Sequence, residues 1–507
     1  MAGSVDVVVI GAGPAGIAAG VAAAAAGARV VLLDDAPRPG GQYWRHGVAG
    51  LGPHHHDRRG WRELSDALAE HRVAGRIELR PAHRVWRLEP PPASAGTDGT
   101  GEIDVTTIHA VTDADAGSAA RVTACERPVT LTARAVVVAT GAHDRVLPFP
   151  GWDLPGVLTP GAVQTLLKEH GVPAGRRVVV AGSGPFLLPV AASLLRVGAT
   201  VVALAEAGDG RGWLTGGRAV LGRGARMREA AGYAAVLARH GVRPRLRTAV
   251  VEAHGTDAVA EVTLARLDRA GAVVPGTARR VACDAVAVGW GFTARVELAL
   301  QAGAVAVPGP DGGPAVAADP WGRTAVPGVL VAGELLGIGG AALAVVTGRL
   351  AGTAAAAHAL GGLTPGAAPG AAPEPVERRL IERRRQLIAF AEVLHRAHPV
   401  PPAWPTWLRD DTLVCRCEEV PLARLREAVD LLGATDARTA KLLTRCGMGW
   451  CQGRMCGEAL ARLVGDPAAA GTSHPHGRDV GLAARPVAVP LTLQALATDP
   501  MRREVGP

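Results

Sequence analysis

The stretch VDVVVIGAGPAGIAAGVAAAAAGARVVLLDD, residues 5–35, carries the strongest structural pattern in this chain. Its opening Val and Ile residues, 5–10, predict a buried strand, and the Ala-rich segment that follows predicts a helix. A second apolar run, 29–33, predicts another strand. Three glycines in the order G-x-G-x-x-G join the first strand to the helix. Strand, glycine turn, helix and strand in this order predict a dinucleotide-binding βαβ unit.

Each glycine of the turn has its own physical role. Gly11 permits a tight turn, Gly13 lets the backbone approach a pyrophosphate, and Gly16 lets the helix pack closely on the strand. The N-terminus of the helix is then predicted to hold the phosphates. Asp34 stands where an acidic residue would bind a ribose hydroxyl. The predicted binding residues of this unit are Gly11, Gly13, Pro14, Ala15, Gly16 and Asp34.

A second, altered copy of the pattern lies at 177–206, RVVVAGSGPFLLPVAASLLRVGATVVALAE. Gly182 and Gly184 are present, but Leu187 replaces the third glycine and is expected to push the helix off the strand. The acidic residue, Glu206, comes one place later than its counterpart in the first copy. The pattern predicts a second βαβ fold and leaves open whether this fold binds NAD(P).

Two further strands end in polar turns. AVVVATGAH ends at Thr140–Gly141, and GVLVAGE ends at Gly333–Glu334. With these motifs, residues 1–360 resemble the flavoproteins with two dinucleotide-binding domains, the fold of thioredoxin reductase and its relatives. The resemblance implies an α/β fold of two interleaved Rossmann-like domains, in which an NAD(P)-type domain interrupts an FAD domain.

The same resemblance implies which residues contact FAD. They are the two turns just named together with Gly41 and Gln42 of PRPGGQYWR, a loop that approaches the flavin ring in such proteins. Glu334 stands where these proteins usually have Asp, so its carboxylate is one methylene longer. No C-x-x-C lies in this span, which excludes disulfide-reductase chemistry.

Five of the seven cysteines cluster near the end of the chain, in VCRCEEV and TRCGMGWCQGRMC. If Cys415 and Cys417 lie on an extended segment, their sulfurs point the same way and can reach one metal. Cys451 and Cys456 lie in a Gly-rich loop that can wrap around sulfurs. Four thiolates suit a 2Fe–2S or 4Fe–4S cluster or a structural zinc, although zinc sites usually use closer pairs.

These cysteine segments resemble the small helical 2Fe–2S domain related to bacterioferritin-associated ferredoxin, over about residues 410–465. The resemblance implies the ligands Cys415, Cys417, Cys451 and Cys456. It treats Cys446 as a non-ligand, with a pair of Cys446 and Cys451 as the competing assignment. The arginines beside the ligands are Arg416, Arg445 and Arg454. Their positive charge is predicted to stabilise the reduced cluster and raise its potential.

The motifs divide the chain into segments. The predicted segments are the first part of the FAD domain (1–150), the NAD(P)-type domain (151–290), the second part of the FAD domain (291–360), a linker (361–375), the helical 2Fe–2S domain (376–465) and a tail (466–507). The linker, GGLTPGAAPGAAPEP, is identified by its Pro, Gly and Ala content.

As a whole, the chain resembles the α subunits of hetero-oligomeric amino-acid and opine dehydrogenases. This family includes the A subunits of opine oxidases, the proline and hydroxyproline dehydrogenase α subunits and the hydrogen cyanide synthase B subunit. The resemblance implies an FAD- and 2Fe–2S-dependent oxidation of a C–N bond in a small amino-acid-like substrate. It also implies a partner subunit of the amino-acid-oxidase type that carries FAD, and often a small ferredoxin-like subunit. The partner could oxidise the amine while this chain relays electrons, so no catalytic residue is predicted.

Two other functions stay open from the residues. The first is an NAD(P)H-dependent flavoprotein reductase that passes electrons to an iron–sulfur carrier, which requires a working second dinucleotide site. The second is a metal-binding interaction protein with no enzymatic activity, which predicts a colourless protein or zinc without iron.

Charge and hydropathy narrow the choice of compartment and partner. The net charge is +8, but Lys168 and Lys441 are the only lysines, and the arginines are spread along the chain. This distribution favours a solvated basic surface over a nucleic-acid site. Apolar runs are broken by glycine or charge, so no transmembrane segment is predicted. The cytoplasm is the predicted location, where reduced thiols favour metal binding over disulfides.

Overall fold

The Val- and Ile-rich runs form parallel strands in the middle of two sheets, the first mixed and the second all parallel, which confirms the predicted α/β fold of Rossmann-like units. The structure is a computed structural model. It describes residues 5–52, 55, 57–90, 106–113, 126–216, 224–361, 375–465, 483 and 485–497. The predicted linker lies outside the described residues except at its two ends, and so does most of the predicted tail. The predicted domain limits stay predictions.

The strands and helices follow one another along the whole chain. The strands are β1 (Val5–Ile10), β2 (Val30–Leu33), β3 (Ile77–Arg80), β4 (His83–Glu89), β5 (Thr106–Asp113), β6 (Glu126–Val138), β7 (Ala142–Asp144), β8 (Val157–Leu158), β9 (Arg177–Gly182), β10 (Thr200–Glu206), β11 (Pro244–Leu246), β12 (Thr248–Gly255), β13 (Val259–Arg266), β14 (Arg279–Ala282), β15 (Ala285–Gly289), β16 (Phe292–Ala294), β17 (Ala306–Pro308), β18 (Pro314–Val316), β19 (Val329–Val331), β20 (Leu413–Cys415) and β21 (Val420–Pro421). The helices are α1 (Pro14–Ala25), α2 (Arg58–Val73), α3 (Pro160–His170), α4 (Leu187–Arg196), α5 (Gly224–Arg239), α6 (Glu297–Gln301), α7 (Ala341–Ala359), α8 (Pro375–Ala397), α9 (Leu422–Asp430), α10 (Ala437–Thr444), α11 (Gly457–Leu463) and α12 (Leu493–Ala497), with short 3-10 turns at Arg211–Gly216, Gly333–Leu336 and Trp404–Trp407.

The first sheet has the strand order β3-β2-β1-β6-β5-β4, and β19 also pairs with β6. The pairs β1–β2, β1–β6 and β6–β19 are parallel, so a strand from residues 329–331 completes a sheet begun at residue 5. Helix α7 packs on α1 at very short range because it has glycines at the contact. A Cβ on Gly348 would lie 2.1 Å from the Ala15 carbonyl oxygen, and one on Gly352 equally close to that of Ala19. This packing fixes α1, whose N-terminus carries the phosphate-binding turn.

The second sheet has the order β11-β10-β9-β15-β8, with all strands parallel. An antiparallel sheet, β12-β13-β14, packs beside it. Strands β7 and β16 pair with each other and carry the chain into and out of this domain. The NAD(P)-type fold is therefore inserted into the FAD-type fold, as the sequence predicts.

The C-terminal helices share one continuous core with the second domain. Three indole N–H groups hold this contact: Trp152 donates to Leu413 O at 2.6 Å, Trp404 to Pro148 O at 2.7 Å and Trp407 to Gly271 O at 3.0 Å. Burying each of these rings stabilises the contact by about 2–3 kcal/mol. None of the helices in the described part of the chain has the length and apolar character that a bilayer crossing needs.

Candidate cofactor cavity and cysteine cluster

Two glycines of the first turn, Gly11 and Gly16, lie where no side chain would fit. Gly11 has φ +103°, and a Cβ there would lie 2.4 Å from the Ala139 carbonyl oxygen. A Cβ on Gly16 would lie 1.6 Å from the Gly11 carbonyl oxygen, so this glycine packs the helix against the turn. Helix α1 begins directly after Gly13, with Pro14 in its first turn. No side-chain hydrogen bond caps this helix, so the N–H groups of its first turn remain available to an anion.

Eleven of the twelve predicted cofactor-binding residues line one cavity of about 390 Å³. They are Gly11, Gly13, Pro14, Ala15, Asp34, Gly41, Gln42, Thr140, Gly141, Gly333 and Glu334, and only Gly16 lies beneath the turn instead. Gly41 comes next to the phosphate turn, since a Cβ there would lie 2.7 Å from the Cα of Gly13. Strand ends and loops that are far apart in the sequence thus converge on one site.

Asp34 is buried at the end of β2 and is bonded to the backbone on both sides. Its carboxylate accepts from the N–H groups of Ala12 and, at 2.8 Å, Ala36. Burial, with a smaller contribution from Asp35, raises the pKa of Asp34 to about 6. The carboxylate therefore orders the phosphate turn and also faces the cavity, where a ribose hydroxyl could donate to it.

The carboxylate of Glu334 binds and orders the backbone segment that leads into α7. Its two carboxylate oxygens accept from the N–H groups of Gly339 at 2.8 Å and Gly340 at 3.0 Å. Thr140 instead donates to Arg295 O at 2.7 Å and joins β7 to the returning chain. Both side chains line the cavity while holding its walls.

His143 and Asp144 follow the Thr–Gly turn but do not line the cavity. Asp144 accepts from the N–H of Gly161 at 3.0 Å and so binds the first turn of α3. His143 is buried, which lowers its pKa to about 4, and its Nδ1 has no partner among the described residues. Neither geometry indicates a catalytic acid or base.

The sequence patterns missed the residues that close the two ends of the cavity. At one end, the second domain contributes Lys168, Phe186, Glu229 and Tyr233. At the other end, Arg454 enters from the C-terminal helices, beside strand β4 and helix α6. No local motif marks these positions, because each is set by how domains pack. Only the rarity of lysine and tyrosine in this chain is a signal that could have drawn attention to Lys168 and Tyr233.

The second glycine turn differs from the first where a phosphate would bind. Gly182 repeats the tight turn, with φ +131°. Helix α4, however, begins only at Leu187, three residues after Gly184, and the Leu187 N–H bonds back to Gly184 O. Glu206 accepts from the N–H groups of Gly184 and Gly208, at 3.0 and 2.9 Å.

A segment of the same chain, 397–399, lies across this second crevice. Ser183 donates to Pro399 O at 3.3 Å, and His398 Nδ1 lies 3.4 Å from a carboxylate oxygen of Glu206. The backbone of Ala397 is so close that a Cβ on Gly212 would lie 2.4 Å from its Cα. The crevice at the carboxyl ends of β9 and β10, where such folds bind ligands, is occupied by protein.

Three cysteine thiols converge in the C-terminal domain. The sulfurs of Cys415, Cys446 and Cys456 are all buried and lie within 4.8 Å of one another. Two thiolates bound to one tetrahedral metal at about 2.3 Å lie about 3.8 Å apart. Hydrogen bonds from the other two thiols lower the pKa of Cys415 to about 2, and the same contacts raise the pKa of Cys446 and Cys456. The cluster therefore favours one shared negative charge, which suits a metal that replaces the protons.

The other two cysteines form an outer pair beside this group. Cys417 is exposed and Cys451 is half-buried, and their side chains are hydrogen-bonded to each other. The loop closes tightly over Cys417, since a Cβ on Gly449 would lie 2.3 Å from its Cβ. All five cysteines thus meet at one place. Cys446, treated as a non-ligand from the sequence, lies inside the group and is not set apart from it.

Arg454 connects the cysteine loop to the cofactor cavity. It lies between Cys451 and Cys456 in the sequence, donates to Ala488 O at 2.6 Å and lies 3.3 Å from a carboxylate oxygen of Glu297. Its side chain is 17% exposed, whereas that of Arg445 is 69% exposed and pairs with Glu418. Arg416 instead stacks over the Trp152 ring at 5.3 Å. Only Arg454 among these three arginines lines the cavity.

Two Rossmann-type domains, a glycine-lined dinucleotide cavity and the strand that returns from residue 329 define an oxidoreductase of the flavoprotein class. The family model for the pyridine nucleotide-disulphide oxidoreductases matches residues 5–359. The chain belongs to this family, although it lacks the C-x-x-C of a disulfide reductase in that span.

Its relatives are subunits of oxidases and synthases. The A subunit of opine oxidase from Agrobacterium tumefaciens is 32% identical over 90% of this chain and 85% of that protein. Hydrogen cyanide synthase subunit HcnB of Pseudomonas aeruginosa is 31% identical over 89% of this chain and 90% of its own length. Among solved structures, L-proline dehydrogenase from P. horikoshii has the same fold, with a TM-score of 0.63 and 21% identity over 97% of this chain and 79% of that one.

Proposed function

We propose that this chain is the electron-relaying subunit of an amino-acid or opine dehydrogenase complex that oxidises a C–N bond. It would hold FAD in the first cavity and a 2Fe–2S cluster on its C-terminal cysteines. The observation that carries the proposal is the position of Arg454, which belongs to the cysteine loop and lines the dinucleotide cavity. The cysteine loop therefore supplies part of the wall of the cavity in which we place FAD.

The residues of the first cavity fit FAD. The open N-terminus of α1 would hold the pyrophosphate and Asp34 a ribose hydroxyl. Gly41, which tolerates no side chain, allows close approach of the Gln42 loop to the ligand. A flavin exchanges two electrons and an iron–sulfur cluster one at a time, which is the chemistry a relay needs.

The proposed cluster ligands remain Cys415, Cys417, Cys451 and Cys456. The outer pair, Cys417 and Cys451, would bind one iron, and Cys415 with Cys456 the other. The sulfur distances admit Cys446 in place of Cys456, so substitution decides between them. We expect Cys456→Ser to lose the iron-dependent absorbance and the electron paramagnetic resonance signal of the reduced cluster, and Cys446→Ser to keep both. The opposite result would assign Cys446 as the ligand.

The closed second crevice argues against the alternative of an NAD(P)H-dependent reductase. The segment 397–399 occupies the place that the phosphates and ribose of a dinucleotide would need. We therefore propose that this domain no longer binds NAD(P) and serves as the platform for the C-terminal helices.

The relatives support the subunit role, because they are subunits of an opine oxidase and a hydrogen cyanide synthase. We propose a small amino-acid-like substrate, a partner subunit of the amino-acid-oxidase type with its own FAD, and a small ferredoxin-like subunit as a further component. A cytoplasmic location remains a prediction.

An anaerobic absorbance spectrum of the purified chain, recorded before and after NADH or NADPH is added, tests the proposal. We expect flavin and iron–sulfur bands that persist with either nucleotide and bleach when the partner subunit and an amine substrate are supplied. Rapid bleaching of the flavin band by NAD(P)H alone would contradict the relay proposal and favour the NAD(P)H-dependent reductase. A spectrum without flavin would exclude both.

A further inference from the structure

The cofactor cavity has a second end that no sequence motif accounts for. In a βαβ unit, the acid after the second strand binds the ribose nearest the adenine, so the other half of a dinucleotide extends past the glycine turn and away from β2. In this chain that direction leads to the wall formed by Tyr43, Lys168, Phe186 and Tyr233. We call this wall the interdomain end, because Tyr43 belongs to the first domain and the others to the second.

Among the described residues, Lys168 is the cation of the interdomain end that no carboxylate neutralises. It is 5% exposed, and its Nζ donates to Tyr43 O at 3.1 Å. Arg45, its charged neighbour, is paired with Glu169 at 2.6 Å, and Glu229 accepts from the Tyr233 hydroxyl at 2.8 Å. An ammonium group has three donors, so two of them remain for a ligand.

The composition of the chain singles out the same position. Of 54 basic residues only two are lysines, and both tyrosines of the chain line the interdomain end. Arginine serves as the cation almost everywhere else in the chain, yet the fully buried cation at the interdomain end of this cavity is lysine. An ammonium is compact and carries its charge at one point, whereas a guanidinium is broad and planar. The position therefore selects a small point charge. Burial and the nearby Arg45 lower the pKa of Lys168 to about 8, so the group is still mainly charged at neutral pH.

Helix α3 offers a second polar group beside this lysine. Gln164 lies one turn earlier on the same helical face, is 3% exposed, and both polar atoms of its amide lack a partner among the described residues. A buried amide without partners costs stability unless a ligand or water completes it. Two buried polar side chains thus lie on one face of α3, and of these Lys168 lines the cavity.

We propose that Lys168 supplies the positive charge that stabilises the reduced flavin ring at the interdomain end of the cavity. The inference rests on the proposed function, because it requires flavin in this site. Two electrons and one proton added to a flavin leave the ring with one additional negative charge, and the electrons come from the C–N bond of the substrate. A buried cation without a carboxylate partner offsets that charge and favours reduction.

Sulfite binding to the full-length chain tests this assignment without involving the cluster. Sulfite adds to the oxidised flavin, leaves a negative charge on the ring and bleaches its visible band, so its Kd reports a nearby cation. Lys168→Met removes both the charge and the hydrogen bond to Tyr43 O, whereas Lys168→Gln removes the charge but keeps a donor. Lys441→Met, in the C-terminal helices, removes the same formal charge elsewhere and is the matched control.

We expect both Lys168 variants to retain flavin, to bind sulfite at least tenfold more weakly and to have a more negative flavin midpoint potential. The Lys441 variant should match the wild type. Sulfite Kd values within twofold of the wild type in flavin-loaded Lys168→Gln would overturn the inference alone. Loss of flavin from both Lys168 variants would also overturn it and assign the lysine to cofactor retention. A wild-type chain that takes up no flavin would overturn the proposed function as well.

Discussion

At the scale of single residues, glycine positions decide whether the cavity exists. Gly41 and Gly75 both have a left-handed φ, +58° and +69°, but in the described part of the chain only a Cβ on Gly41 would have a neighbour within 4 Å. Alanine at either position should cost about 1–2 kcal/mol of folding free energy through backbone strain. We expect Gly41→Ala also to lose its flavin, because its Cβ intrudes on Gly13, while Gly75→Ala keeps a full complement. The flavin-to-protein ratio of the two purified variants measures this difference, and equal ratios would contradict it.

Asp34 gives the cavity a pH dependence whose sign follows from its raised pKa. The folded value is about 6 and the ordinary value is 3.8, so the folded chain favours the protonated carboxyl. Its contribution to stability is therefore full below about pH 4 and is lost as the pH rises through 6. The loss amounts to at most about 3 kcal/mol.

Asp34→Asn should remove that dependence. In cofactor-free protein, we expect the Tm of the variant minus that of the wild type to increase as the pH rises from 4.5 to 7.5. Asn can still accept the bond from the Ala12 N–H, so the turn keeps its main contact. Parallel Tm curves for the two proteins over this range would show that the carboxyl is ionised throughout.

At the scale of elements, two glycines inside helices distinguish the effect of helix packing on stability from the effect of helix propensity. Gly348 and Gly232 both lie inside helices, but a Cβ on Gly348 would meet the Ala15 carbonyl oxygen at 2.1 Å, whereas one on Gly232 would meet none of the described residues within 4 Å. We expect Gly348→Ala to lower the free energy of unfolding by about 1–3 kcal/mol through overpacking. Gly232→Ala should raise it by about 1 kcal/mol through helix propensity. Urea unfolding of both variants checks the opposite signs, and a stabilised Gly348 variant would refute the proposed close contact of α1 and α7.

How much the sequence predicts also depends on the range of the interaction. The turn at Gly11–Gly16 and the strand ends at Thr140 and Gly333 were predictable, because each is a local pattern with one structural meaning. Leu187 signalled an altered second turn. The segment that closes the second crevice was not predictable, since residues 397–399 lie about 200 positions from the turn they cover. The place of Cys446 inside the cysteine group was not predictable for a related reason: spacing along the chain does not report which sulfurs meet.

At the scale of the whole molecule, the C-terminal helices are tied to both dinucleotide folds. Three tryptophan N–H bonds and a shared core hold them to the second domain, and Arg454 reaches the first. A cluster in this domain would therefore respond to charge in the cavity wall. Because a reduced cluster carries one more negative charge, a buried cation beside it raises its midpoint potential.

Arg454→Gln should therefore make the cluster harder to reduce, while Arg445→Gln serves as the matched control. Arg454 is largely buried and close to Glu297, whereas the exposed Arg445 is screened by solvent and by Glu418. An interaction of about 1–2 kcal/mol for a partly buried charge corresponds to a fall of about 40–90 mV for a one-electron carrier. We expect a shift of that order in the Arg454 variant and a much smaller one in the Arg445 variant, measured by redox titration of the reduced-cluster paramagnetic signal. A larger shift in the Arg445 variant would mean that charge on the solvent-exposed side of the cluster, and not the cavity wall at Arg454, sets the midpoint potential of the cluster. The proposed relay would then lose the contact on which it rests.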